Sequence, residues 1–167
     1  MISISPARTP KDFETCASLC RALGEWDVMH GKAYGISADL ILGLYHGDTG
    51  DSLARKFSSP GARMFIASWS GVPAGCVGFS AFDGQASEIH KFYVDTAFRG
   101  KRIGHALLEA ALEAIGQGTR RKALVHTTVY MKQAVALYEA FAFRRCAPFR
   151  EIPDEVRHTE IFFSRSI

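Results

Sequence analysis

The chain has 167 residues, of which 47% are apolar and 22% charged, and it carries a formal net charge of +3. That is enough apolar material for one real core, and it excludes disorder as the dominant state. The charge is too small to imply nucleic acid as a partner, and no stretch approaches the roughly 18 apolar residues of a membrane span. The start, MISISPARTPKD, lacks the charged opening and apolar run of a secretion signal. The expectation is therefore a single domain over residues 1–167, cytoplasmic, with no membrane or nucleic-acid partner.

In chain order, MISIS reads as a short strand ended by Pro6. A helix opens at Thr9 or Pro10, with Phe13, Cys16, Leu19, Cys20 and Leu23 on one apolar face, and Gly24 loosens its end. Residues 25–60 are the least regular part: SADLILGLYHG suggests a second helix capped by Ser37, and DTGDS a surface loop. From Gly61 the pattern turns to strands. ARMFIASWSG and PAGCVGFSAFDG form an antiparallel pair across SGVP, and SEIHKFYVD follows as a third strand. A helix with Ile103, Leu107, Ala111 and Ile115 at helical spacing ends at Gly116 and Gly118. The strand KALVHTTVY, the helix KQAVALYEAFAF and two closing strands complete a mixed α/β fold: a central sheet with helices packed on it.

Four cysteines, Cys16, Cys20, Cys76 and Cys146, stand at no disulfide-framework spacing, and no second Cys or His pair completes a metal site. Buried, reduced thiols and no metal are expected.

The most informative stretch is YVDTAFRGKRIGHALL, a strand end, a short basic turn and a helix start. A helix N-terminus carries unpaired N–H groups and a partial positive charge, so it is a ready anion site. Gly100 and Gly104 let the backbone approach a ligand, and Arg99, Lys101 and Arg102 add full charges. Several converging amides suit a pyrophosphate better than a single carboxylate. The other reading is a plain strand-to-helix connection with solvated charges, and spacing alone leaves both open. Neither a P-loop nor a dinucleotide-binding glycine pattern is present.

The stretch KFYVDTAFRGKRIGHALLEAAL resembles the acetyl-CoA motif of the GNAT superfamily of N-acetyltransferases, Q/R-x-x-G-x-G/A after a strand, here Arg99-Gly100-Lys101-Arg102-Ile103-Gly104. Downstream, AVALYEAFAF is similar to the family's A-x-x-L-Y-x-x-x-G-F segment. The resemblance covers roughly residues 60–145. Three positions depart from it: Arg102 stands where the first signature glycine belongs, Met131 where many members carry Asn, and Ala142 where Gly is usual. The side chain of Arg102 reaches a phosphate only if its φ is negative.

The resemblance implies a GNAT-like, mostly antiparallel central sheet flanked by helices, with acetyl-CoA (coenzyme A) held by Phe92, Tyr93, Val94, Arg99, Gly100, Lys101, Arg102, Ile103, Gly104, His105 and Tyr138. The pantetheine arm would run along SEIHKFYVD, on Val94 backbone groups, with the Phe92 N–H facing the thioester oxygen. Strict alternation places Glu88, His90, Phe92 and Val94 on one face. An amine acceptor must lose a proton before attack, through Glu88, which matches the family's strand glutamate, or through His90; both also fit as satisfied polar groups on a half-buried strand. Tyr138 matches the family's helix tyrosine, which protonates the departing thiolate. His126 and Thr128 could line the same cleft. The expected function is transfer of an acetyl group to a primary amine by direct attack in a ternary complex. The alternative is a CoA-binding regulatory module without turnover. Segment 25–60, with Glu25, Asp27, Asp39, Asp48 and Asp51, should help form the acceptor site for a small-molecule or peptide amine. A homodimer is left open.

Overall fold

A computed structural model describes residues 1–167. Its strands are β1 (Ile2–Pro6), β2 (Arg63–Trp69), β3 (Val72–Ala81), β4 (Ala86–Val94), β5 (Lys122–Thr128), β6 (Arg144–Arg145) and β7 (Glu160–Ser166). Its helices are α1 (Pro10–Gly31), α2 (Ala38–Tyr45), α3 (Gly50–Phe57), α4 (Ile103–Gly116) and α5 (Lys132–Ala140). The strands form one seven-stranded sheet in the order β1-β2-β3-β4-β5-β7-β6, antiparallel except for the β4–β5 pair. This is the mixed, mostly antiparallel sheet that the sequence implies.

Local chemistry accounts for most element boundaries. The Thr9 hydroxyl accepts from the Asp12 N–H at 3.1 Å and the Asp12 carboxylate accepts from the Thr9 N–H at 2.9 Å, a capping box that starts α1. Two expectations need correction. Gly24 does not loosen α1, which runs on to Gly31; a Cβ at Gly24 would lie 3.2 Å from His46 Cγ, so the glycine permits a close approach. DTGDS is not a plain loop, because Thr49 and Ser52 cap each other and start α3. Between β2 and β3, Ser70 and Gly71 both take positive φ, 48° and 84°, as a two-residue hairpin turn requires.

Apolar side chains pack on both faces of the sheet. Leu107, Leu108 and Ile115 of α4 cover Val77, Phe79 and Ile89 on one face. On the other, Phe13 and Cys16 of α1 and Phe57 of α3 cover Met64, Ile66 and Cys76. The three thiols of Cys16, Cys20 and Cys76 are buried and reduced, and no cluster of residues could hold a metal ion. No helix is long and apolar enough to cross a membrane.

Two irregularities of β4 position the site. Its pairing with β5 runs only from Ala86↔Lys122 to Ile89↔Val125, after which the strands part. On the other side Cys76 pairs with Tyr93 but Gly78 with His90, so Lys91 and Phe92 together oppose the single residue Val77. This is a bulge, with Lys91 at φ 57°. The Lys91 carbonyl accepts from the Cys76 thiol at 3.2 Å, and its ammonium reaches Asp48 at 2.5 Å and the Tyr45 carbonyl at 3.1 Å. The extra residue overturns the expected alternation. Glu88 and His90 face the α1–α3 side, where His90 meets Phe57 edge-on, while Phe92 and Val94 pack toward α4 and α5.

Candidate active site

The turn before α4 keeps its amides available. The Arg99 N–H makes a long bond of 3.5 Å to Thr96, and the first α4 bond runs from the Ala106 N–H to the Arg102 carbonyl at 3.1 Å. No backbone carbonyl accepts from the amides of residues 100–105. Gly100 takes φ 81°. Arg102 caps α4 at φ 61°, the positive φ that a glycine would adopt freely, so the negative φ on which phosphate contact by its side chain depended is absent and its backbone N–H is the group that faces the turn's ligand side. Arg102 is exposed beside the turn.

A cavity of about 840 Å³ lies against this turn. Its lining contains Phe92, Tyr93, Val94, Arg99, Gly100, Arg102, Ile103, Gly104 and His105, nine of the residues expected to hold the cofactor. Lys101 and Tyr138 are not among them; the Lys101 ammonium sits 4.7 Å from the Trp69 ring instead. The guanidinium of Arg99 lies over Trp26 at 5.4 Å, and its Nε donates to the Val94 carbonyl at 3.4 Å. Gly104 matters for packing: a Cβ there would stand 3.2 Å from Phe92 and 3.3 Å from Leu137. Trp26, Tyr34 and Tyr130 form an aromatic wall that the sequence reading missed. Their clustering comes from α1 meeting the end of β5, which no local pattern reveals.

A second cavity of about 240 Å³ lies where β4 and β5 part. Glu88, His90, His126, Thr128 and Glu160 line it from the sheet, a shared face that follows from the registers Glu88↔Leu124 and Thr128↔Glu160. Asp27, Tyr45, His46 and Lys56 close it from the helices, and Arg150 from the segment before β7. Segment 25–60 contributes to this cavity through Asp27 directly and through Asp48 by way of Lys91. Glu25, Asp39 and Asp51 lie outside this lining.

The polar groups here are interlinked. Buried Glu88 forms an ion pair with Arg150. Arg150 also donates to His126 Nδ1 at 3.3 Å, which puts the imidazole proton on Nε2, 3.5 Å from Glu160 Oε1. Tyr45 donates its hydroxyl to the same Glu160 oxygen. Asp27 accepts from Tyr130 and, at 2.7 Å, from His46. His90 is hydrogen-bonded to Ser80 at 2.9 Å, and burial together with Lys56, Lys91 and Arg150 holds its imidazole well below the usual range. Arg150 and Glu160 were not singled out in the sequence, because neither lies in a recognisable motif.

The two cavities adjoin. Leu23, Phe92 and Met131 line both, and Tyr138 borders the second with its ring 5.8 Å from that of Phe92. Burial among Phe92, Phe143 and Phe163 pushes the Tyr138 phenol well above its ordinary range.

A bulged strand that parts from its parallel neighbour thus lies beside a helix start with unclaimed amides. Residues 37–143 match the Acetyltransferase (GNAT) family, and the chain belongs to it; acetyl-CoA is the family's usual cofactor. The chain is 31% identical over 114 residues to the uncharacterized N-acetyltransferase YjgM of Escherichia coli (strain K12), covering 66% of this chain and 67% of that one. It is 31% identical over 97 residues to the IAA acetyltransferase of Azospirillum brasilense, covering 57% and 63%. Among solved structures, PaiA N-acetyltransferase of Thermoplasma acidophilum in complex with coenzyme A shares the fold, with a TM-score of 0.73 at 14% identity over 100% of this chain and 99% of that one. An acetyltransferase of Streptococcus agalactiae gives 0.75 at 14% identity, over 99% and 98%.

Proposed function

We propose that residues 1–167 act as one N-acetyltransferase unit that moves an acetyl group from acetyl-CoA to a primary amine by direct attack in a ternary complex. The observation that carries this reading is the junction of the two cavities at Phe92, Leu23 and Met131. Because the cavities adjoin instead of overlapping, donor and acceptor can be held together.

The residues present suit the cofactor. The amides of residues 100–105, with Arg99 beside them, would hold its diphosphate, and the open edge of β4 beyond Ile89 would hold its extended arm. When bound, it supplies an activated acetyl thioester. Phe92 sits in the bulge and lines both cavities, which makes its amide the candidate donor to the carbonyl oxygen.

The acceptor's proton passes to Glu88 through water. Glu88 is buried and lines the acceptor cavity, whereas His90 is engaged by Ser80 and kept neutral, which supports Glu88 over His90. Tyr138 stays protonated in its apolar surroundings, the form needed to donate a proton to the departing sulfur. The test is acetylation of a panel of amines by the purified protein, followed by release of the free thiol. Glu88→Gln and Tyr138→Phe should each lower kcat by about 100-fold, in the usual range for a lost acid or base. Tight coenzyme A binding with no transfer to any amine would favour the non-catalytic module.

A further inference from the structure

The charges that line the second cavity are unevenly matched. Each carboxylate already accepts from a donor of the chain: Glu88 from Arg150, Glu160 from Tyr45, and Asp27 from His46 and Tyr130. Among the cations, Lys91 is held by Asp48 and the Tyr45 carbonyl. Arg150 donates to Glu88 and to His126 Nδ1, which leaves part of a guanidinium that carries five N–H bonds. Its side chain is 39% exposed, within reach of a ligand. Lys56 lines the same cavity, is exposed and has no acid partner.

The cations gather at one end. The Lys56 ammonium lies 5.4 Å from the centre of the Phe57 ring, and that ring meets His90 edge-on at 5.5 Å. After burial itself, Lys56, Lys91 and Arg150 all help to keep the His90 imidazole neutral. Partial desolvation and then Lys91 lower the Lys56 ammonium as well. The other end of the cavity is the junction at Leu23, Phe92 and Met131. His90 and Phe92 stand two residues apart on β4, at most about 7 Å of strand. The cavity, about 240 Å³, is smaller than the roughly 300 Å³ at which sites for drug-sized ligands begin, so it suits a small acceptor. At the cationic end a second ammonium would meet like charges, whereas a carboxylate would gain charge-assisted hydrogen bonds.

We propose that the acceptor is a free amino acid, its carboxylate held by Lys56 and the spare N–H bonds of Arg150 and its amine directed to the junction. This rests on the acetyltransferase reading and narrows its substrate class. Diamines and basic peptides, which carry a second cation in place of the carboxylate, are poor acceptors.

The test compares the common amino acids with their α-amides and with putrescine as acceptors of the acetyl group. The best amino acid should exceed its own amide by about tenfold or more in kcat/KM, although loss of the carboxylate leaves an amine that deprotonates more readily. Lys56→Gln should raise KM for the amino acid about fivefold or more and leave KM for the amide little changed. The preference should also shrink as salt rises. Calorimetric titration of the same amino acid into protein saturated with coenzyme A reads the site without turnover. Amides or putrescine used as well as amino acids would overturn the inference and leave the enzymatic reading standing, as would a preference that Lys56→Gln does not reduce. Saturable binding that weakens in Lys56→Gln, with no transfer to any acceptor, would support the carboxylate site and overturn the enzymatic reading. Neither binding nor transfer would overturn the inference.

Discussion

At the scale of single residues, Arg102 and Ala142 tell the same story. Both stand where the family usually carries glycine, and both adopt the left-handed conformation that glycine accepts without penalty, at φ 61° and 66°. A side chain there costs about 1 kcal/mol or somewhat more, while glycine adds back up to about 1 kcal/mol through the unfolded chain. Ala142→Gly and Arg102→Gly should therefore be at least as stable as the parent, by up to about 1 kcal/mol. Denaturant midpoints measure this, and a clear loss would contradict the left-handed assignment. The glycine departures were visible in the sequence. The conformation at those positions was not, since φ there is set by how α4 and α5 meet the strands beside them.

At the scale of elements, the bulge in β4 decides which side chains face which helices. One added residue at Lys91 leaves Glu88 and His90 on the α1–α3 face and Phe92 and Val94 on the α4–α5 face. An alternation count along SEIHKFYVD cannot detect this, because the run keeps an ordinary strand composition and the bulge is defined by its partner β3. Lys91→Gly and Lys91→Val test it as a pair. Both lose the contact with Asp48, but only glycine tolerates φ 57° easily. Val should be less stable than Gly by about 1 kcal/mol or more, read from thermal unfolding; equal stabilities would argue against a strained bulge. Helix starts were far more legible. The Ser37 cap was readable because such a cap lies within four residues of chain, whereas the Thr49 cap was hidden by a segment with the composition of a loop.

For the whole molecule, burial sets the pH range of stability. The folded protein holds His90 well below its ordinary range through burial and neighbouring cations. Below about pH 6.5 the unfolded chain takes up a proton that the folded one refuses, so stability falls as pH falls. Burial pushes the Cys16 thiol up to about 12, so the unfolded chain loses that proton first and stability also falls as pH rises above about 9. A plateau between these limits is expected in denaturant melts, and His90→Gln should flatten the acid side; an unchanged acid limb would mean other groups govern it. Read alone, the sequence determined the order of elements, the basic turn at a helix start and the family, because caps, periodicity and the two motifs are written in short contiguous stretches. Tertiary structure alone decided the bulge, the parting of β4 from β5, the Glu88–Arg150 pair and the meeting of Thr128 with Glu160. Each of these depends on strand register and on side chains brought together from distant parts of the chain, and local spacing carries no record of either.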